Sequence, residues 1–164
     1  LDKRNLSLQL KKDIIKTDVN PMINWIHRAN AMDPTGRVNN STGRKKEYGT
    51  QHTIPNIQIF RPLFNKINKI GSLELNRFFI SDIWTNYNPP NGVNNKHRHI
   101  DADISGCYYL YVPENSGEIE FETGEKFLPL ANEIYWWDSR LEHWVHTNNS
   151  NEIRISIAFN IKQA

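Results

Sequence analysis

The chain has 164 residues, 38% of them hydrophobic and 23% charged, with a net charge of +2. Those values fit a single folded domain over 1–164, and they exclude a disordered chain, a strongly basic nucleic-acid binder and a polybasic membrane-surface protein. One cysteine, Cys107, rules out an internal disulfide framework; with no apolar run near the ~18 residues of a membrane span and no signal-peptide core, a cytoplasmic protein is expected.

In chain order, Leu6-Ser7-Leu8-Gln9-Leu10 alternates with period two and predicts a strand. Pro21 suits a helix's first turn, and Met22, Trp25, Ile26 and Ala29 carry helical spacing up to a stop near Asp33-Pro34. Residues 35–53 are polar, contain three glycines and show no periodicity, which predicts a long loop able to choose a substrate. A second helix is expected from Ile57 to Ile70, with Pro62 in its first turn and Gly71 as its stop. Residues 1–70 thus read as helical support plus loop, and 71–160 as a β core.

From Leu73 onward the pattern has period two. Strands are expected at 73–80 and 82–87, a turn at Asn88-Pro89-Pro90-Asn91-Gly92, and further strands at 105–112, 118–121, 133–137 and 153–160. About seven short strands behind two helices predict a mainly β fold, a sandwich, barrel or jelly roll, with the helices packed outside.

Chemistry concentrates in Lys96-His97-Arg98-His99-Ile100-Asp101. If that segment is extended, His97, His99 and Asp101 share one face, because side chains at i, i+2 and i+4 of a strand do. Imidazoles and a carboxylate with open positions suit non-haem Fe(II). A distant ligand is needed, and His143-Trp144-Val145-His146 offers two candidates. On the last strand Arg154 and Ser156 point one way and Ile153, Ile155 and Ile157 the other. An arginine turned inward needs an anion, supplied either by a protein acid or by a ligand carboxylate.

Taken together, His97-x-His99, Ser105-Gly106-x-Tyr108-Tyr109-Leu110, Gly117-x-Ile119-x-Phe121, Leu141-x-His143-x-Val145 and Arg154-Ile155-Ser156-Ile157-Ala158-Phe159-Asn160 resemble a family of 2-oxoglutarate/Fe(II)-dependent dioxygenases of bacteria and phages. The resemblance spans about residues 48–160. It implies a double-stranded β-helix, the jelly-roll or cupin-like architecture, and a cytoplasmic enzyme, phage-encoded enzymes acting in the host cytoplasm included. It implies Fe(II) as metal, 2-oxoglutarate and dioxygen as small-molecule cosubstrates, and His143, rather than His146, as the distal ligand. Arg154 would pair with the distal carboxylate of 2-oxoglutarate, helped by Ser156 and Tyr109. The wider superfamily's His-x-Asp matches His99-Ile100-Asp101, whereas the closer family's His-x-His matches His97 and His99. We expect His99, Asp101 and His143, with His97, His99 and His143 as the alternative. The implied reaction is hydroxylation of an unidentified substrate: peptidyl proline or another peptide side chain, a small metabolite or a nucleobase. Two competing readings are a cupin-like metal protein that does not use 2-oxoglutarate and a non-catalytic β-sandwich binding or viral module.

Overall fold

The computed structural model describes residues 10–34, 36–38 and 49–164. Two antiparallel sheets face each other. The larger has the order β1-β9-β6-β11-β4-β3-β2 and the smaller β5-β10-β7-β8. In the large sheet β1 is Lys11–Ile14, β2 Arg37–Val38, β3 Thr50–Gln51, β4 Phe78–Asn88, β6 Ile104–Tyr111, β9 Glu133–Asp138 and β11 Arg154–Gln163. In the small sheet β5 is Asn94–His97, β7 Ile119–Phe121, β8 Lys126–Phe127 and β10 His143–Val145.

The helices α1 (Asn20–Met32) and α2 (Arg61–Glu74) cover the outer face of the large sheet. Their apolar stripes (Met22, Ile26, Leu63, Ile67 and Ile70) pack with Tyr108, Ile134, Ile155, Ile157, Phe159 and Ile161 in one core. The alternate residues Cys107, Tyr109, Tyr135 and Trp137 face the small sheet and pack with Ile119, Phe121, Leu141 and Val145. The period-two alternation of β6, β9 and β11 therefore sorts one set to the helices and the other to the gap between sheets.

Pro21 and Pro62 both sit in the first turns of their helices, as the sequence predicts. Gly71 does not stop α2, which runs on to Glu74. Its missing side chain serves a close approach instead, since a Cβ there would collide with the ring of Phe78. The helix therefore takes residues 73–74 from the expected strand, and β4 is a single strand from Phe78. The turn after it holds Asn91 at φ 70°, where Asn is tolerated. The strand expected at Leu6–Leu10 falls almost wholly outside the described residues, and Lys11–Ile14 pairs with β9 just after it. The expected 35–53 loop contributes β2 and β3 where it is described, and β3 adds to the edge of β4. Among the described residues no helix is long and apolar enough to cross a membrane.

Candidate metal and cosubstrate site

His143 on β10 lies directly opposite His97 on β5 in the antiparallel register. Opposed side chains of neighbouring strands approach closely, and these two rings have centroids 4.4 Å apart. Strand β5 ends at His97, so His99 reaches the same place by another route. Its backbone N–H donates to the Ser139 carbonyl at 2.9 Å, and Ser139 also donates N–H to the carbonyl of Asp103 and Oγ–H to that of Ala102. The turn is thus fastened to the β9–β10 connection with the imidazole facing inward. The ligand nitrogens of His97, His99 and His143 lie within 4.8 Å of one another.

Tautomer and charge suit metal binding. His97 Nδ1–H donates to the Asn95 carbonyl at 2.6 Å and His143 Nδ1–H to the Leu141 carbonyl at 3.1 Å, which frees Nε2 of each ring as a ligand. Burial holds all three rings neutral: it lowers the pKa of His97, and takes His99 to about 4 and His143 to about 3, the neighbouring imidazoles adding to both. Three converging neutral imidazoles on a cavity wall are a donor set for a divalent first-row metal.

Asp101 is not part of this set. The alternation expected through 97, 99 and 101 requires an extended chain, but β5 stops at His97 and residues 100–101 turn, leaving Asp101 exposed. Asp103 is more than a solvent-facing residue, since its Oδ2 accepts the Gln163 N–H at 2.7 Å. His146 faces away from the triad and pairs with Glu120 at 2.8 Å.

The triad opens into a cavity of about 390 Å³ that is also lined by Arg154, Ser156 and Tyr109. Arg154 is 2% exposed, and its Nε and Nη2 have no hydrogen-bond partner. Its guanidinium lies 5.4 Å from the centroid of the Tyr109 ring. Burial pushes the Tyr109 hydroxyl far above its ordinary pKa, so it remains a donor. A buried guanidinium with two unpartnered donors, beside a tyrosine and a serine, is a donor set that suits a carboxylate. Cys107 lines the same cavity with its thiol kept neutral by burial.

Four carboxamides on this wall escaped the sequence reading. Gln51 Nε2–H donates to Asn86 Oδ1 at 3.0 Å and Asn88 Nδ2–H to Asn94 Oδ1 at 3.1 Å, all four side chains being buried. Only their inward parity on β4, once the strand was known to be continuous, could have marked Asn86 and Asn88. Of the tryptophans, Trp84 and Trp137 line the cavity. Trp136 instead joins the helix-side core and donates to Glu74, and Trp144 lies under the ammonium of Lys96.

Residues 82–132 match the family model described as "Putative 2OG-Fe(II) oxygenase". This segment, under a third of the chain, is similar to that family. That family is one of Fe(II)- and 2-oxoglutarate-dependent oxidoreductases. Solved structures share the fold. The viral collagen prolyl hydroxylase of Paramecium bursaria Chlorella virus-1, in complex with 2-oxoglutarate, is 13% identical with a TM-score of 0.70, covering 94% of this chain and 96% of its own. A prolyl hydroxylase of Trichoplax adhaerens, in complex with a hypoxia-inducible-factor peptide fragment, is 11% identical with a TM-score of 0.75, covering 96% and 84%. The α-ketoglutarate-dependent epimerase SnoN of nogalamycin biosynthesis is 10% identical with a TM-score of 0.71, covering 94% and 78%. No curated protein sequence matches the chain. The oxygenase fold is the double-stranded β-helix, and the two facing sheets described above are its layers.

Proposed function

We propose that residues 1–164 act as one 2-oxoglutarate-dependent hydroxylase domain, with His97, His99 and His143 as the metal ligands and Arg154, Ser156 and Tyr109 as the cosubstrate socket. The observation that carries this reading is the pairing of two features on one cavity: a triad of neutral imidazoles, and a buried arginine with two unpartnered donors. A cupin-like metal protein would need the first feature but not the second, and a non-catalytic sandwich would need neither.

When bound, Fe(II) supplies the redox chemistry that couples decarboxylation of 2-oxoglutarate to oxidation of a substrate C–H. In the net reaction one atom of dioxygen enters succinate and the other forms the hydroxyl, with loss of carbon dioxide. The chain's own residues do the positioning. Arg154 binds the distal carboxylate through a planar fork, and the Tyr109 and Ser156 hydroxyls donate to the same group. The Asn95 and Leu141 carbonyls orient His97 and His143. Trp84 and Trp137 pack against His99 and His143 at centroid separations of 5.8 and 5.0 Å and hold those rings in place.

We take the substrate to be peptidyl, with proline as the residue oxidised. The 390 Å³ cavity with its polar mouth supports this choice, as does the fold shared with two prolyl hydroxylases. A cytoplasmic setting is part of the proposal, since Cys107 is a buried free thiol needing no oxidising compartment. The test is succinate formation from 2-oxoglutarate under aerobic conditions with added Fe(II). Wild type and Asp101→Ala should both produce succinate, whereas His97→Ala, His99→Ala and His143→Ala should not. Loss of activity in Asp101→Ala with retention in His97→Ala would return the carboxylate to the ligand set.

A further inference from the structure

The inward residues of the large sheet lie in cross-strand rows, and the rows give the cavity a direction. Ala158 on β11 is flanked by Trp84 and Cys107, and Asn160 by Asp82 and Ser105. The imidazoles sit over these two rows, because His99 contacts Trp84 and His143 contacts Trp137, whose register partner is Ser105. Arg154 lies six residues before Asn160 on the same strand, roughly 20 Å away along the backbone. With the carboxylate socket at the Arg154 end, the Asn160 end is left for the molecule to be oxidised.

We propose that Asn160 and Asp82 form a substrate-reading pair that hydrogen-bonds the peptide backbone beside the oxidised residue. This deepens, and rests on, the oxygenase reading above. Asn160 is 4% exposed and lines the cavity. Its Oδ1 accepts the Ser105 Oγ–H at 2.7 Å, so the carboxamide is held with Nδ2 as its remaining donor. Asp82 lines the same cavity, is exposed at its mouth, and is the register partner of Asn160 on the adjacent strand. A donor and an acceptor are thereby carried by facing residues of two strands about 5 Å apart. In an extended peptide the C=O and N–H of one residue face the same side, as they do in a hydrogen-bonded strand pair. Asn160 Nδ2–H would donate to that carbonyl and the Asp82 carboxylate would accept from that N–H. Ser105 is a positioning residue, acting only through the orientation of Asn160.

The probe is a degenerate library of blocked heptapeptides with a central proline, incubated with the full chain, Fe(II) and 2-oxoglutarate and scored by mass spectrometry for addition of oxygen. The best peptide is then titrated against wild type, Asn160→Leu, Asp82→Ala and Ser105→Ala. Each variant should raise the peptide KM about tenfold or more, with a smaller effect on kcat, as expected for loss of a hydrogen bond to bound substrate. Manganese-supported binding of 2-oxoglutarate, measured on the same preparations, should stay within about twofold of wild type. Asp82 is exposed, so its variant reports even if a change at buried Asn160 disturbs folding. A peptide KM unchanged in Asp82→Ala, or no peptide hydroxylated by a wild type that binds 2-oxoglutarate, overturns the pair. Failure of wild type to bind 2-oxoglutarate overturns the oxygenase reading itself, and the pair with it.

Discussion

Arg154 is the residue whose surroundings are hardest to explain without a ligand. A guanidinium that is 2% exposed, with Nε and Nη2 unpartnered, costs several kcal/mol to bury without an anion. Its sequence position and inward parity were legible, since the alternation of Ile155 and Ile157 fixed which way it pointed. His143 was preferred over His146 through the family resemblance and not through parity, and His97 and His99 were both singled out. The choice between Asp101 and His97 as third ligand was not legible. Spacing alone treats residues 97–101 as extended, whereas the end of β5 at His97 and the fastening of the following turn to Ser139 favour the proposed three-imidazole set. Asp101→Ala should therefore leave manganese or Fe(II) affinity within about threefold of wild type, whereas His143→Ala should lower it by two orders of magnitude or more, both read by metal titration. An equal loss in the two variants would contradict the three-imidazole set.

Among the elements, β6 shows how tightly neighbouring strands of the large sheet are packed. Gly106 sits between the register partners Phe159 and Trp136, and a Cβ there would collide with the Phe159 ring and come within 2.6 Å of the Tyr135 carbonyl oxygen. The backbone oxygen cannot swing aside as a side chain can. Gly106→Ala should then cost on the order of 1–3 kcal/mol by overpacking, seen as a lowered melting temperature. A variant as stable as wild type would mean that β6 and β9 can separate freely. The strands β6, β7, β9 and β11 were readable from period-two patterning because each buries at least one face. β4 was not read as one strand because the end of α2 at Glu74 is set by tertiary contacts. Glu74 is bound by Lys11 and by the Trp136 indole, and neither contact is visible in a local window. β2 and β3 are too short to leave any pattern.

For the molecule as a whole, the triad links the site to acid stability. The folded pKa values of His99 and His143, about 4 and about 3, lie below the 6.5 of an unperturbed histidine. Between those values the unfolded chain binds protons that the folded chain does not. The stabilising contribution is therefore complete above pH 6.5 and is lost as pH falls toward 4 and 3. Metal-free protein should melt at progressively lower temperature across that window, and His143→Ala should show a shallower slope there. A wild-type melting temperature that does not change between pH 6.5 and 4 would contradict neutral, buried imidazoles.

In the proposed site, His97 and His143 of the small sheet and His99 beyond β5 face Arg154 of the large sheet across one cavity. The most direct test of that arrangement is calorimetric titration of 2-oxoglutarate into oxygen-free, manganese-loaded protein, comparing wild type, Arg154→Lys and Arg154→Ala. Losing two charge-assisted bonds costs on the order of 3 kcal/mol, so Arg154→Ala should bind roughly a hundredfold more weakly, with manganese occupancy unchanged. Arg154→Lys should recover part of that loss, because an ammonium supplies the charge without the planar fork. Equal affinity in wild type and Arg154→Ala would contradict the socket, and no binding of 2-oxoglutarate by metal-loaded wild type would contradict the oxygenase.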